Sequence, residues 1–270
     1  MTQRMLAVVE ITFRRLIQSR LLWIAVVGSL LIIGLFMSTV ASMVRMHAAG
    51  QAVSHAVLMQ VVGTIITILG AFAQLIAIFV GVTVVRRDVV DGTVASVLSK
   101  PLSRGEYIAA SYAGSAAYLF LMWVLFALVL TLFAAVFKGT LSGAAYAAML
   151  ARFLICVMTM AIALCFAVRT HHWVAVILTA LALRGRETVD GIAQIVAATG
   201  GSLPDAVVEA LKFPFPIRGA LDNIGKQLTQ GSLVEQAMGP GIIHVIDYGL
   251  VMAVLAWLLF RNLEINRVRE

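Results

Sequence analysis

Long apolar runs separated by short polar breaks make up most of the chain, and their lengths are those of membrane-crossing helices. Crossing the hydrocarbon core of a bilayer takes roughly 20 apolar residues in a helix. The pattern predicts spans over about 21–43, 57–85, 107–137, 144–168 and 241–260. A fifth span, between the fourth and the last, is harder to read. Trp173 to Leu183 is apolar but short, and Arg184-Gly185-Arg186-Glu187-Thr188-Val189-Asp190 follows it. Either this helix continues to about Ala198 with its charges at the outer lip, or it breaks and re-enters. Re-entry is tolerated only where protein or water covers the backbone. The expectation is an all-α polytopic integral membrane protein with six transmembrane helices, forming a single domain over 1–270. The alternating segments of about ten residues that build a membrane β-barrel are absent.

The polar breaks have structure of their own. Residues 2–20 predict an amphipathic helix in the headgroup plane, with Glu10, Arg14 and Gln18 on one side and Leu6, Val9, Phe13, Leu16 and Ile17 on the other. Residues 199–240 are polar and carry Pro204, Pro214 and Pro216, and short external helices are expected near Pro204–Lys212 and Ile217–Leu228.

The best-punctuated break runs from Arg86 to Glu106. Asp91 or Thr93 can cap a short helix there, Val94, Val97 and Leu98 would share one face of it, and Pro101 stops it. Ser103 and Glu106 have the spacing of a capping box for the next span, and Leu102 with Tyr107 that of a hydrophobic staple. A short helix held rigidly across the mouth of a helical hairpin is the expected result.

Composition agrees with the pattern. Hydrophobic residues make up 61% and charged residues 12%, against about a quarter charged in a soluble chain. Arg4, Glu10, Arg14, Arg15 and Arg20 interrupt the first twenty residues, so no cleavable leader is expected. Positive charge gathers on one side of the predicted topology: in the N-terminal segment, in the 86–106 break (Arg86, Arg87, Lys100, Arg104), at Arg169 and in the tail (Arg261, Arg267, Arg269). The positive-inside rule then puts both termini and that break in the cytoplasm. This asymmetry accounts for most of the net charge of +7, which is therefore no sign of nucleic-acid binding. Cys156 and Cys165 fall on one helix, facing opposite ways about 13 Å apart, too far to bridge.

Candidate chemistry is sparse. The nearest thing to a phosphate loop, Gly219 followed by Gly225-Lys226, has the wrong spacing and Gln227 in place of the magnesium-binding Ser or Thr. Adjacent His171-His172 diverge by about 100° on a helix, a poor chelate better suited to interfacial anchoring. His244 and Asp247 share a face near the outer end of the last span, a candidate for a water-filled path or a partner contact. Gln60, Gln74 and Arg152 are weaker candidates of that kind. Ala109, Ala110, Ala113, Gly114 and Ala117 favour close packing of the third helix, within the subunit or against a second copy.

The run Arg87-Asp88-Val89-Val90-Asp91-Gly92-Thr93-Val94, continued by Leu98-Ser99-Lys100-Pro101-Leu102-Ser103-Arg104, resembles the first cytoplasmic loop of type-2 ABC exporter permeases. Asp88 matches an acidic position there, and Gly92, Thr93, Leu98, Ser99, Pro101, Ser103 and Arg104 match directly. Phe213-Pro214-Phe215-Pro216 is similar to a segment in the subgroup that includes nitrous-oxide-reductase maturation and gliding-motility permeases. Many relatives carry a lysine in the third span where this chain has Ser111.

The resemblance implies a non-catalytic permease subunit of an ABC transporter in the inner (cytoplasmic) membrane. It would bind no cofactor itself, with ATP and Mg held by a separate cytoplasmic ATPase. A coupling helix carrying Asp88, Asp91, Gly92, Thr93, Val94, Val97, Leu98, Lys100 and Arg104 would dock on that ATPase. The other implied partners are a second permease copy or related permease, an extracytoplasmic protein and membrane lipids. A membrane enzyme using His244 and Asp247, or a secondary transporter, are the alternative readings.

Overall fold

A computed structural model describes residues 2–19, 55–90, 103–136, 143–199, 204–212, 214–216 and 234–261, with isolated helical positions between 23 and 38. The described elements are all helical: α1 (Thr2–Ile17), α2 (His55–Val90), α3 (Arg104–Val136), α4 (Gly143–Ala167), α5 (His172–Ala198), α6 (Asp205–Lys212) and α7 (Val234–Arg261). Among them, four helices contain stretches long and apolar enough to cross a membrane: Val62–Val84, Arg104–Leu132, Ala145–Ala167 and Gly241–Arg261. The expected first span and the Ile217–Leu228 helix lie outside the described residues.

Several expected boundaries are corrected. α2 stays helical through Arg86, Arg87 and Asp88 to Val90, past the expected end of the second span near Val85. At 36 residues and 1.5 Å per residue, α2 is about 54 Å long and overshoots a hydrocarbon core of about 30 Å. Its charged end can therefore stand clear of the bilayer. α5 is one continuous helix through Arg184-Gly185-Arg186, which decides between the two readings of the fifth span in favour of continuity. The last span, expected over about 241–260, matches Gly241–Arg261, and its helix α7 begins one to two turns earlier, at Val234, with helical backbone through Pro240.

α4 is the hub, packing against α2, α7, α5 and α3. Of its span, 72% is buried, against 17% for that of α7. Small side chains let the backbones come close. A Cβ added at Gly81 of α2 would lie 2.6 Å from the Met160 carbonyl oxygen and 2.8 Å from the Ala163 Cβ. Sparse polar bonds pin the register: Gln74 Nε2 donates to Thr159 Oγ1 at 3.2 Å, and Tyr112 Oη donates to the Val157 carbonyl at 3.2 Å. Cys156 and Cys165 are buried in different apolar clusters, consistent with opposite faces of one helix.

α1 packs along α3. Thr12 and Leu16 are buried, and a Cβ at Gly114 would lie 2.8 Å from the Val9 carbonyl oxygen. The packed face is narrower than the apolar side read from the sequence, because Leu6 stays 62% exposed. Glu10 and Arg14 pair across one turn at 2.6 Å on the exposed side. The small-residue stripe of α3 is thereby divided. Ala110 and Gly114 are buried, while Ala109, Ala113 and Ala117 remain exposed.

The same substitution should act oppositely at two glycines. Gly81→Ala meets backbone across the α2–α4 contact and should destabilise by about 1–3 kcal/mol. Gly191→Ala, with open space around it, should be neutral or stabilising by up to about 1 kcal/mol. Thermal unfolding of the purified protein in detergent checks both.

Candidate functional site

Of the residues read as ATPase-coupling, Asp91, Gly92, Thr93, Val94, Val97, Leu98 and Lys100 lie outside the described residues. Asp88 lies on the last turn of α2, and Arg104 is the first residue of α3. What the structure describes in detail is the joint where that loop enters α3.

The joint is a reciprocal capping box. The Ser103 backbone N–H donates to Glu106 Oε2 at 2.8 Å, and the Glu106 N–H donates to Ser103 Oγ at 3.2 Å. Two amides at the helix start, which have no partner inside the helix, are satisfied by each other's side chains. Leu102, the other half of the expected staple, lies outside the described residues. Tyr107 instead stacks on Phe260 of α7, ring centroids 6.1 Å apart with 26° between the planes. Around this pair a second apolar cluster gathers Ile108, Leu164, Cys165, Val168 and Ala256.

The joint therefore grips α7 as well as α3. Arg104 Nη1 donates to the Arg261 carbonyl at 3.3 Å, placing a cation on the negative end of the α7 helix dipole. Gly105 lies so close under the Trp257 indole that any Cβ there would strike the ring nitrogen. Sequence reasoning assigned Arg104 to the ATPase and missed this second attachment, because its partners lie more than a hundred residues away. Beside the joint opens a cavity of about 520 Å³, lined mainly by apolar side chains from Met5, Ala109, Leu164, Leu250 and Val254.

A second polar assembly lies about midway along α5 and α7, away from the joint. Arg186 Nε donates to the Phe215 carbonyl at 3.0 Å, Tyr248 Oη donates to the Pro214 carbonyl at 2.8 Å, and the Phe215 ring covers Gly185. Lys212 Nζ binds Asp190 Oδ1 at 2.6 Å and Glu209 Oε1 at 3.5 Å, tying α6 to α5. His244 faces Tyr248 one turn on, with ring centroids 6.1 Å apart, while Asp247 is exposed. Of the expected pair, only His244 thus borders this assembly through a described contact. Arg186, Phe215 and Tyr248 carried no sequence signal beyond the proline segment itself.

Arg152 is buried in α4 with its stem across Gly70 of α2. His171, His172 and Trp173 pack ring on ring at the start of α5, with centroids 4.2 and 4.9 Å apart, as suits an interfacial aromatic belt. Ser111 is fully buried, so a lysine at that position would have its charge buried with it.

The comparisons follow the same lines. Residues 6–183 match the family model described as ABC-2 family transporter protein. The chain belongs to that family and is a multi-pass membrane component of an ABC transporter, whose members imply an ABC ATPase partner. No curated protein matches it.

Two measurements test the geometry. Replacing Ser103 and Glu106 together by Ala should destabilise the start of α3 by about 1 kcal/mol, with faster amide hydrogen exchange confined to the first turn. In the second assembly, the hydrogen bond to Asp190 raises the Lys212 pKa above its ordinary 10.5. The charged tether is thus complete below the pKa of an unfolded lysine and is lost as pH rises through the higher folded value. Acylation of Lys212 should lag behind that of free surface lysines at alkaline pH, and Asp190→Asn should shorten the lag, leaving the smaller part due to Glu209.

Proposed function

We propose that the chain is the permease of an ATP-driven exporter or mechanical transmitter, in which a separate cytoplasmic ATPase acts on the 86–106 region. The observation that carries this reading is the double attachment of the joint. Ser103 and Glu106 stiffen the entry to α3, while Arg104 and Gly105 hold the end of α7. A push on the loop is then delivered to two spanning helices at once, and rigid elements joined this way move as a unit. An apolar docking face at Val94, Val97 and Leu98, flanked by Asp88, Asp91, Lys100 and Arg104, suits a helix-in-groove contact. Gly92 and Thr93 would start that helix.

In this reading two permease chains, identical or related, assemble with two ATPase chains in the cytoplasmic membrane, surrounded by lipid. The charge asymmetry puts both termini in the cytoplasm. ATP and Mg belong to the ATPase. The proline segment suggests the subgroup of nitrous-oxide-reductase maturation and gliding-motility permeases, where an extracytoplasmic partner would receive the motion.

Asp88→Ala and Arg104→Ala separate docking from transmission. A hydrogen bond from a charged group contributes about 1.5–3 kcal/mol, so losing one at an interface weakens binding roughly tenfold to a hundredfold. Asp88→Ala should reduce co-purification of the ATPase by about that factor. Arg104→Ala should also uncouple ATP hydrolysis from the permease, because its hold on α7 is lost. Normal assembly and normal stimulated turnover in both variants would overturn the proposal.

A further inference from the structure

The exposed surface of α5 changes character halfway along. Its first half exposes Trp173, Val174, Ile177 and Leu181, the next two turns expose Arg184, Glu187, Thr188 and Asp190, and Ile192 and Ile195 are exposed beyond them. The change occurs well inside the bundle. Gly185 lies about 20 Å from the start of α5 at 1.5 Å per residue, still within a hydrocarbon core of about 30 Å. Up to that point α5 packs beside the spanning helix α4, with Ala175, Thr179, Ala182 and Leu183 buried.

The turn at Pro214–Pro216 lies at similar depth. Tyr248, which binds the Pro214 carbonyl, precedes Gly249, where an added Cβ would lie 3.5 Å from Met158 Cα. Met158 lies about 14 Å from the end of the α4 span, Ala145–Ala167, by the same helical rise. The chain thus leaves α5 at its far end, passes through α6, and dips back to mid-bundle before α7. Non-helical backbone at that depth exists only where protein covers it or water reaches it. Exposed charges there would cost about 2.5–3.5 kcal/mol each if they faced lipid. α6 buries none of its own residues, and of these charges it pairs Asp190 with Lys212, while Arg184, Glu187 and Thr188 remain exposed.

We infer that the outer half of α5, α6 and the Phe215 turn enclose a water-filled vestibule that opens on the side away from the 86–106 loop and reaches to about mid-bilayer. Its floor is the Phe215 ring on Gly185, its wall is the charged face of α5, and its occupants are water and polar solutes, not lipid tails. The residues that form it lie beyond the 6–183 family match. The inference takes its inside–outside sense from the orientation given under Proposed function.

Thiol accessibility tests it in the full chain, in cells. The native cysteines are a silent background, because Cys156 and Cys165 are buried at 1% and 6% exposure. Only the thiolate reacts, and it forms where water reaches, so Thr188→Cys should react with a membrane-impermeant sulfonated thiol reagent at least about tenfold faster than Leu181→Cys or Val251→Cys. Leu181 is the apolar exposed position one turn below Arg184. Val251 is exposed on α7 just past Gly249, near the depth of the turn. Glu187→Cys provides a second reporter if Thr188→Cys fails to accumulate. Labelling of Thr188→Cys from outside intact cells, with both controls inert, supports the vestibule. Labelling only in inverted vesicles would keep the vestibule and overturn the orientation. Inertness from both sides would mean that a second copy or lipid covers this face, and equal labelling of all three positions would put their level outside the bilayer. Either result overturns the inference.

Discussion

Tyr107 stacked on Phe260 is the contact on which the mechanical layout of the protein depends. It joins the first turn of α3 to the last turn of α7, and Arg104 and Gly105 reinforce it from the polar side. Without it the capping box would stiffen a single helix. With it, the entry of the 86–106 loop is a shared corner of two membrane-crossing helices. An apolar cavity of about 520 Å³ lies beside that corner, while the stacked pair itself is buried in the second apolar cluster.

The second constraint is that hydrocarbon does not solvate charge. The apolar half of α5 can face lipid, and the charged half cannot at the same depth. The structure meets this by folding the proline segment back against α5 and α7, with Arg186 and Tyr248 each binding one of its carbonyls. Polar groups midway along α5 and α7 are thus drawn into one assembly, separated from the loop-side joint by α4 and its buried contacts. Phe260 of the joint and Tyr248 of this assembly lie on the same helix, α7.

The parts of the fold that were legible in the sequence depend on local rules. α3 and α4 begin and end within a few residues of the apolar runs that predict them, and the Ser103/Glu106 box was readable because both partners lie on one turn. The second span was read to end near Val85, where its apolar stretch does end, but the helix itself continues through Arg86, Arg87 and Asp88 to Val90. A charged turn beyond the bilayer can remain helical, since nothing there penalises it. α5 was ambiguous for the opposite reason: hydropathy records the charges but not whether water or protein meets them.

Local pattern was enough for a polytopic helical protein, for the capped entry to the third span and for the resemblance to a transporter family that residues 6–183 bear out. Only the tertiary structure decided that Arg104 reaches Arg261, that Trp257 closes over Gly105, and that Phe215 returns to Gly185. Each of these contacts joins segments far apart in the chain. No local spacing encodes such a meeting, because it is set by how α4 positions its neighbours and by where an aromatic ring comes to lie over a glycine.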